Sequence, residues 1–144
     1  MIEPSPTTKL APNLTRGTLL ENVPETATRA AYVVVRIPNT SYQLHLVPTT
    51  GLADRLGKKV IGTIRAQAKR VDTVGTGGRF VEPVAGRPRR VQGFVIATDA
   101  STITVDAGVP IICTLTDERQ NPSQFKPGQF VGFDILDGAT FTHE

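Results

Sequence analysis

Apolar and polar residues alternate along much of the chain with a period of two. Residues 42–46 show this pattern clearly, and it is typical of a half-buried β-strand. The apolar segment 32–37 precedes them, and the turn-forming residues 38–41 lie between the two segments. Residues 31–47 are therefore predicted to form a β-hairpin.

Similar strand patterns recur toward the C-terminus. Further strands are predicted at 58–70, 90–98, 101–106, 110–115 and 129–136, with a short edge strand ending near Phe141. Gly62 interrupts the longest of these strands, which predicts a bulge or bend of the kind a small barrel needs. Many short strands with almost no helical pattern predict an all-β, mainly antiparallel small barrel, because closure of a sheet removes exposed strand edges.

The N-terminal segment differs from the rest in composition. Residues 1–28 contain four prolines and many threonines, and proline interrupts both helices and β-ladders. This segment is predicted to be an irregular Pro/Thr-rich arm, and residues 29–144 are predicted to be the β-barrel domain. Two alternatives stay open for the arm: a partly disordered tail, or a short strand docked near Thr18 to Leu20.

Two segments of the chain are similar to each other. Residues 57–64 and 128–135 share glycine, valine and isoleucine at matching positions, and each segment follows an alternating hairpin. This similarity suggests two related β units within the domain. The alternative is that two unrelated strands both begin after a glycine.

The number of cysteines and the length of the apolar runs indicate the cellular compartment. Cys113 is the single cysteine, so an internal disulfide is excluded and a reducing compartment is expected. The first residues lack the basic start and apolar run of a signal peptide, and the apolar runs are far shorter than the roughly 20 residues of a membrane helix. The sequence therefore predicts a soluble cytoplasmic protein with no membrane partner.

Charge is segregated along the chain. Residues 55–90 contain ten basic and two acidic residues, whereas residues 97–144 contain two basic and seven acidic residues. The basic segment is suited to a polyanion, but it is also suited to the acidic part of a neighbouring subunit or to simple solvation. All three interpretations stay open at this point.

The candidate phosphate-binding residues come from this basic segment. They are Lys69, Arg70, Arg79, Arg87, Arg89 and Arg90. Arginine offers a planar fork of donors that matches phosphate oxygens, and Pro88 restricts the backbone beside the densest group. Such contacts would give affinity with little reading of base sequence.

Catalytic and metal-binding patterns are weak by comparison. The two histidines are His45, on the polar side of its strand, and His143, next to the C-terminus. The glycines between 75 and 78 match neither a dinucleotide fingerprint nor a P-loop, and they are interpreted as a connector. Cys113 is predicted to be a core residue. The sequence therefore predicts a protein that is not an enzyme, with no cofactor and no metal site.

Two segments resemble parts of a known family. Residues 125–138 (FKPGQFVGFDILDG) resemble the closing strand of cold-shock and related OB-like domains, and residues 91–96 resemble a barrel-opening strand of these domains. The whole chain also resembles short bacterial proteins of OB-like type that have no assigned activity. The resemblance implies an OB-like barrel, although the aromatic nucleic-acid motifs of cold-shock domains are missing and fold alone does not imply function.

These observations lead to one functional hypothesis and one alternative. The hypothesis is a non-enzymatic binding module whose basic central segment contacts an anionic partner, with nucleic acid as the leading candidate. The alternative is a protein–protein interaction or self-assembly module, in which the basic segment contacts the acidic part of another protein or of a second copy. The partner's identity and the oligomeric state are not determined by the sequence.

Overall fold

A computed structural model of the protein describes residues 11–144, which form twelve strands and two 3₁₀ turns. The strands are β1 (Thr15–Val23), β2 (Tyr32–Arg36), β3 (Gln43–Pro48), β4 (Lys59–Ala68), β5 (Asp72–Thr73), β6 (Phe80–Glu82), β7 (Ala85–Gly86), β8 (Arg90–Thr98), β9 (Thr102–Asp106), β10 (Pro110–Leu115), β11 (Phe130–Asp134) and β12 (Thr140–His143). The 3₁₀ turns are Ala53–Arg55 and Pro122–Gln124. The predicted hairpins and long strands are thus present within a few residues of their expected bounds.

Five strands close into a barrel. Their order is β1-β2-β3-β12-β4, and β4 returns to pair with β1. All pairs in this ring are antiparallel except β3 with β12, which is parallel. The prediction of an all-β, mainly antiparallel small barrel is therefore confirmed.

Part of the predicted N-terminal arm is a barrel strand. Strand β1 occupies residues 15–23 and forms ladders with both β2 and β4, so the docked-strand alternative holds for this part of the arm, and the strand is longer than the short one expected near Thr18 to Leu20. The prolines explain the difference, because Pro12 and Pro24 lie on either side of the strand and leave its ladder intact. Residues 1–10 of the predicted arm lie outside the described residues.

Strand β12 is not the edge strand that was predicted. Thr140–His143 pairs with β4 on one side and begins a parallel pairing with β3 on the other, which closes the barrel. Of the bulge or bend expected at Gly62, the bulge is wrong, since the register of β4 shows no shift there. The glycine is required instead by close packing, because a β-carbon at this position would meet the backbone oxygen of Thr142.

Strands β8, β9, β10 and β11 form a second unit that shares β4 with the barrel, and of the short strands β5 pairs with β11, β6 with β8 and β7 with β3 of the barrel. The C-terminal half of β4 pairs in parallel with β10, and β10, β9, β8 and β11 follow in antiparallel order. An isolated bridge between Ala68 and Ile135 then brings the chain after β11 back to β4. Strand β4 therefore contributes to the walls of both units.

The two units repeat the same hydrogen-bond register. Val60 of β4 is opposite Gly17, and Val131 of β11 is opposite Gly93. Strands β1 and β8 each contain a register shift two residues after these glycines. This equivalence matches the similarity of residues 57–64 to residues 128–135, and a common origin of the two units stays a prediction.

The turn before each of the two similar strands is also repeated. Gly57 and Gly128 both have positive φ angles, of 77° and 95°. Their N–H groups donate to the carbonyl oxygens of Leu19 and Val95, each at 2.7 Å. A glycine is favoured at both positions because residues with a β-carbon seldom adopt this conformation.

A hydrophobic core runs through both units. Its largest fully buried side chains include Phe133, Phe141, Leu44, Leu46 and Ile64. Cys113 is fully buried, as predicted, and burial raises the pKa of its thiol. In the described part of the chain, no helix has the length and apolar character needed to cross a membrane.

Candidate functional site

The backbone around Arg89 is fixed from two sides. Its N–H donates to the carbonyl oxygen of Glu82 at 2.8 Å, and its own carbonyl oxygen accepts from the N–H of Ile135 at 2.9 Å. The neighbouring Pro88 is buried. The start of β8 is thus held between the end of β6 and the residue that follows β11, and the arginines on either side of Pro88 are presented from a rigid segment.

Four of the predicted phosphate-binding residues line one groove, which we call the basic groove. It has a volume of about 660 Å³. Its lining consists of Lys69, Glu82, Pro83, Arg87, Arg89, Arg90, Asp134, Ile135 and Asp137. Four basic and three acidic side chains give it a net charge of +1, so its charge is less positive than the basic segment alone suggested.

Two arginines of the basic groove form exposed ion pairs. Arg87 Nη1 lies 3.0 Å from Asp137 Oδ2, and Arg90 Nη1 lies 3.0 Å from Asp134 Oδ1. Exposed pairs of this kind are each worth about 0–1 kcal/mol. A multivalent anion such as a phosphate chain is therefore able to compete with these carboxylates.

The other two cations of the groove are free of such partners. Neither Lys69 nor Arg89 forms an ion pair with any side chain of residues 11–144, and both are exposed. The N–H of Lys69 donates to the carbonyl oxygen of Asp134 at 2.8 Å, which fixes the lysine backbone beside β11. These two side chains are the most available positive charges in the groove.

A smaller pocket adjoins the basic groove and shares Arg87 and Asp137 with it. This aromatic pocket has a volume of about 130 Å³. The rings of Tyr32 and His45 stack in it with centroids 4.9 Å apart, and the guanidinium carbon of Arg29 lies 4.1 Å from the centre of the tyrosine ring. The pocket therefore combines aromatic surface with one further guanidinium, that of Arg29, beside the groove.

The strand register explains the stacked rings. In the β2–β3 ladder, Val34 is opposite His45 and Val33 is opposite Leu46. Tyr32 is therefore a diagonal neighbour of His45 on the same outward face, where aromatic side chains are within reach of each other. The alternation along β3 had already predicted that His45 points away from the core.

The pKa of His45 is lowered from its usual 6.5. Desolvation by burial is the largest cause, followed by the charge of Arg29; Glu21 acts in the opposite direction, and Arg87 lowers the pKa further. The neutral imidazole is thus the form favoured by the fold.

This shift predicts a pH dependence of stability. The unfolded chain binds the His45 proton more readily than the folded chain, so the stabilisation is present above pH 6.5 and is lost as pH falls through the folded-state pKa. We expect a lower urea midpoint at about pH 5.5 than at about pH 7.5, and a smaller difference in His45→Gln. Equal pH dependence of the two proteins would contradict the assignment.

The other two predicted residues lie away from the basic groove. Arg70 pairs with Asp72 at 3.1 Å and lines a separate cavity with Asp117 and Arg119. Arg79 pairs with Asp106 at 2.8 Å, beside the β8–β9 ladder. The structure therefore brings together Lys69, Arg87, Arg89 and Arg90 but not the complete predicted set.

Three residues of the site were not singled out from the sequence. Arg29, Tyr32 and His45 precede the basic segment in the chain, and only the folded barrel places them beside Arg87. Arg29 lies just before β2 and Tyr32 opens that strand, yet neither position carries a distinctive motif. In the sequence, the one feature that could have indicated this pocket was the position of His45 on the polar side of its strand.

The described part of the chain was searched for side-chain groups that could bind a metal ion. Within residues 11–144, no group of three or more His, Cys, Asp or Glu side chains is arranged to hold a metal ion.

Comparison with protein-family models, curated proteins and solved structures gave no significant match. The fold defines the class of the protein: it is an all-β protein with a closed five-stranded barrel.

Proposed function

We propose that the protein is a non-enzymatic module that binds single-stranded nucleic acid through the basic groove and the aromatic pocket. The observation that carries this proposal is their adjacency: five basic side chains line two adjoining depressions, and the smaller one also contains a stacked tyrosine and histidine. These cations are Arg29, Lys69, Arg87, Arg89 and Arg90. A positive track beside aromatic rings is the usual design of a single-strand binding surface.

The topology of the barrel supports the same proposal. An OB-fold is a five-stranded Greek-key barrel in which strands 2 and 3, with the loops joining strands 1–2 and 4–5, bind oligonucleotides or oligosaccharides. We assign the β1-β2-β3-β12-β4 ring to this type. The aromatic pocket then occupies the equivalent place, since Tyr32 and His45 come from β2 and β3, Arg29 from the first loop and Arg87 from the long connection to β12.

The charge of the site favours nucleic acid over a neutral sugar chain. Lys69 and Arg89 have no carboxylate partner in the described residues, and the exposed pairs of Arg87 and Arg90 are weak enough to be displaced. Phosphates bound there would release counterions, so affinity should depend strongly on salt. Contacts to the backbone would leave the base sequence largely unread.

The self-assembly alternative receives less support. It required the basic segment to meet the acidic part of another chain. Within a single chain, Arg79 already pairs with Asp106, Arg87 with Asp137 and Arg90 with Asp134. This internal pairing reduces the charge complementarity left for a second copy.

The proposal predicts the effect of removing the two free cations. The double variant Lys69→Ala/Arg89→Ala should bind labelled single-stranded oligonucleotides roughly 10- to 50-fold more weakly, on the order of 1 kcal/mol per cation. The log–log salt slope should become shallower by about 0.7 for each lost phosphate contact. Fluorescence anisotropy at two or more salt concentrations measures both quantities.

A matched control removes the same charge elsewhere. Arg70→Ala/Arg119→Ala also deletes two exposed cations, but these line a different cavity. This variant should keep affinity close to that of the wild type. An equal loss in both double variants would indicate general charge attraction, and unchanged binding by Lys69→Ala/Arg89→Ala would refute the groove as the site.

A further inference from the structure

The second unit presents an exposed aromatic pair on its outer surface. Phe94 of β8 is directly opposite Phe130 of β11, and their ring centroids are 4.7 Å apart with an angle of 54° between the rings. Phe94 is 43% exposed, and Phe130 is half-buried. The two rings thus form a small apolar platform that is accessible to solvent.

The fold itself does not require phenylalanine at these positions. The repeated register makes Thr18 and Lys59 of the barrel equivalent to Phe94 and Phe130, because both pairs are one position beyond the matched glycine–valine pairs. The barrel therefore folds with polar side chains, Thr18 and Lys59, at the equivalent positions. The aromatic pair is therefore specific to the second unit. It exposes apolar surface to water, which is energetically unfavourable.

A guanidinium lies next to this platform. Asp106 of β9 is opposite Phe94, and Arg79 Nη1 lies 2.8 Å from Asp106 Oδ2. The arginine side chain is 48% exposed, so its remaining donors are open to solvent. Lys126, in the turn that leads into β11, is a second exposed cation nearby in the chain.

The platform is too small to be the centre of a stable protein interface. Such interfaces bury about 800 Å² on each partner, which is far more than two partly exposed rings provide. The other exposed large apolar side chains of the described residues lie on other elements: Leu20, Leu56, Val84 and Leu136. A planar ring beside a cation is instead the size and chemistry that suits one nucleotide base and its phosphate.

We propose that Phe94 and Phe130 form a base-stacking subsite for single-stranded nucleic acid, with Arg79 contacting an adjacent phosphate. This inference rests on the proposed function and extends it beyond the basic groove. Arg90 of the groove and Phe94 lie on the same outward side of β8, about 13 Å apart at the usual rise of a strand. One nucleic-acid strand following β8 reaches both places.

The structure around the part of β8 between Arg90 and Phe94 does not cover the aromatic platform. Gln92 lies on β8 midway between Arg90 and Phe94 and is buried, and its side-chain amide donates to the carbonyl oxygen of Gly78 at 2.9 Å. The glycine connector therefore covers Gln92 but not Phe94, which remains exposed. A bound strand has to pass over this connector between the groove and the rings.

The first test uses the absence of tryptophan from the chain. Phe94→Trp introduces a single indole at the platform, and stacking of a base on it should quench its fluorescence when oligothymidine is added. Leu56→Trp places the single indole at another exposed apolar position, 54% exposed in the wild type. We expect saturable quenching in Phe94→Trp and little change in Leu56→Trp.

The second test measures affinity. Phe94→Ala should weaken binding of single-stranded oligothymidine by roughly 5- to 100-fold, which is the usual effect of losing one stacked base. Phe94→Leu keeps the apolar character without the aromatic face and should show a similar loss. Affinity for duplex DNA should stay unchanged, because paired bases are not available to stack on the ring.

The outcomes separate this inference from the proposed function. If Lys69→Ala/Arg89→Ala loses binding while Phe94→Ala and Phe94→Leu bind like the wild type, the stacking subsite is refuted and the groove stands. If the Phe94 variants lose single-strand binding and the groove variant does not, the groove proposal fails and the platform is the site. Equal quenching of both tryptophan variants would also overturn the inference.

Discussion

Phe141→Ala is expected to destabilise the protein by about 3–5 kcal/mol, the usual cost of removing a large aromatic side chain from a core. Phe141 is fully buried on β12, the strand that closes the barrel between β3 and β4. Domains of this size are stable by only about 5–15 kcal/mol, so the variant should lose a large part of its total stability. Urea unfolding followed by circular dichroism gives the difference in midpoint.

The matched control for this variant is Phe94→Ala, which removes the same atoms from a ring that is 43% exposed. Its cost should be well below that of Phe141→Ala, because much of the ring already contacts water. The comparison separates the loss of stability caused by removing a ring buried in the barrel from the loss caused by removing any phenylalanine ring. Similar midpoints for the two variants would show that β12 is not a required wall of the barrel.

Gly93→Ala is expected to destabilise the protein by about 3 kcal/mol or more. An added β-carbon would meet the backbone oxygen of Asp106 in the facing strand β9. This oxygen cannot move aside as the end of a side chain can, so the β8–β9 ladder has to separate locally. Thermal or urea unfolding of the variant measures the effect.

Two glycines provide graded controls for Gly93→Ala. At Gly78 a β-carbon would meet nothing within 4 Å, so Gly78→Ala should be nearly neutral. At the equivalent position of the barrel, Gly17, it would meet the side chain of Val35 first, and the backbone oxygen of Arg36 at 3.0 Å. We expect a loss in Gly17→Ala that lies between the other two, and any other order would contradict this account of the close strand contacts.

The repeated register explains why the sequence similarity between the units is so limited. Packing demands a glycine where strands approach closely, at Gly17 and Gly93, and a valine in the opposite core position, at Val60 and Val131. Outward positions carry no such demand and differ between the two units, as Phe94 shows. The limited sequence similarity of residues 57–64 to residues 128–135 reflects these few packing constraints.

The segments that carried the OB-like resemblance lie outside the closed barrel. Residues 91–96 and 125–138 contribute β8 and β11, which pair with each other in the second unit. The five-stranded ring is built from strands whose sequences showed no such resemblance. Local strand and turn patterns can thus be similar to a family while the topology that defines a barrel is formed elsewhere in the chain.

The candidate site was predictable only in part. Charge segregation indicated the basic segment, because an excess of one sign is visible in the sequence without any knowledge of the fold. It did not indicate that Arg70 and Arg79 would lie apart from Lys69 and Arg89, nor that Asp134 and Asp137 would line the same groove. Those distances depend on strand pairings between residues far apart in the chain.

The sequence by itself determined the all-β class and the positions of most strands. Alternation of apolar and polar residues is a local property, and each side chain on a strand faces the core or the solvent according to its own neighbours. Prolines and glycines marked the turns for an equally local reason, since they restrict or widen the backbone angles of single residues.

The tertiary structure alone decided how the barrel closes, that β4 serves two units, and that Arg29, Tyr32 and His45 lie in a pocket beside the basic groove. These features depend on pairings between distant strands, such as β1 with β4 and β3 with β12. The free energy of such a pairing comes from complementary packing and shared hydrogen bonds across the whole sheet. A local sequence pattern does not contain that information.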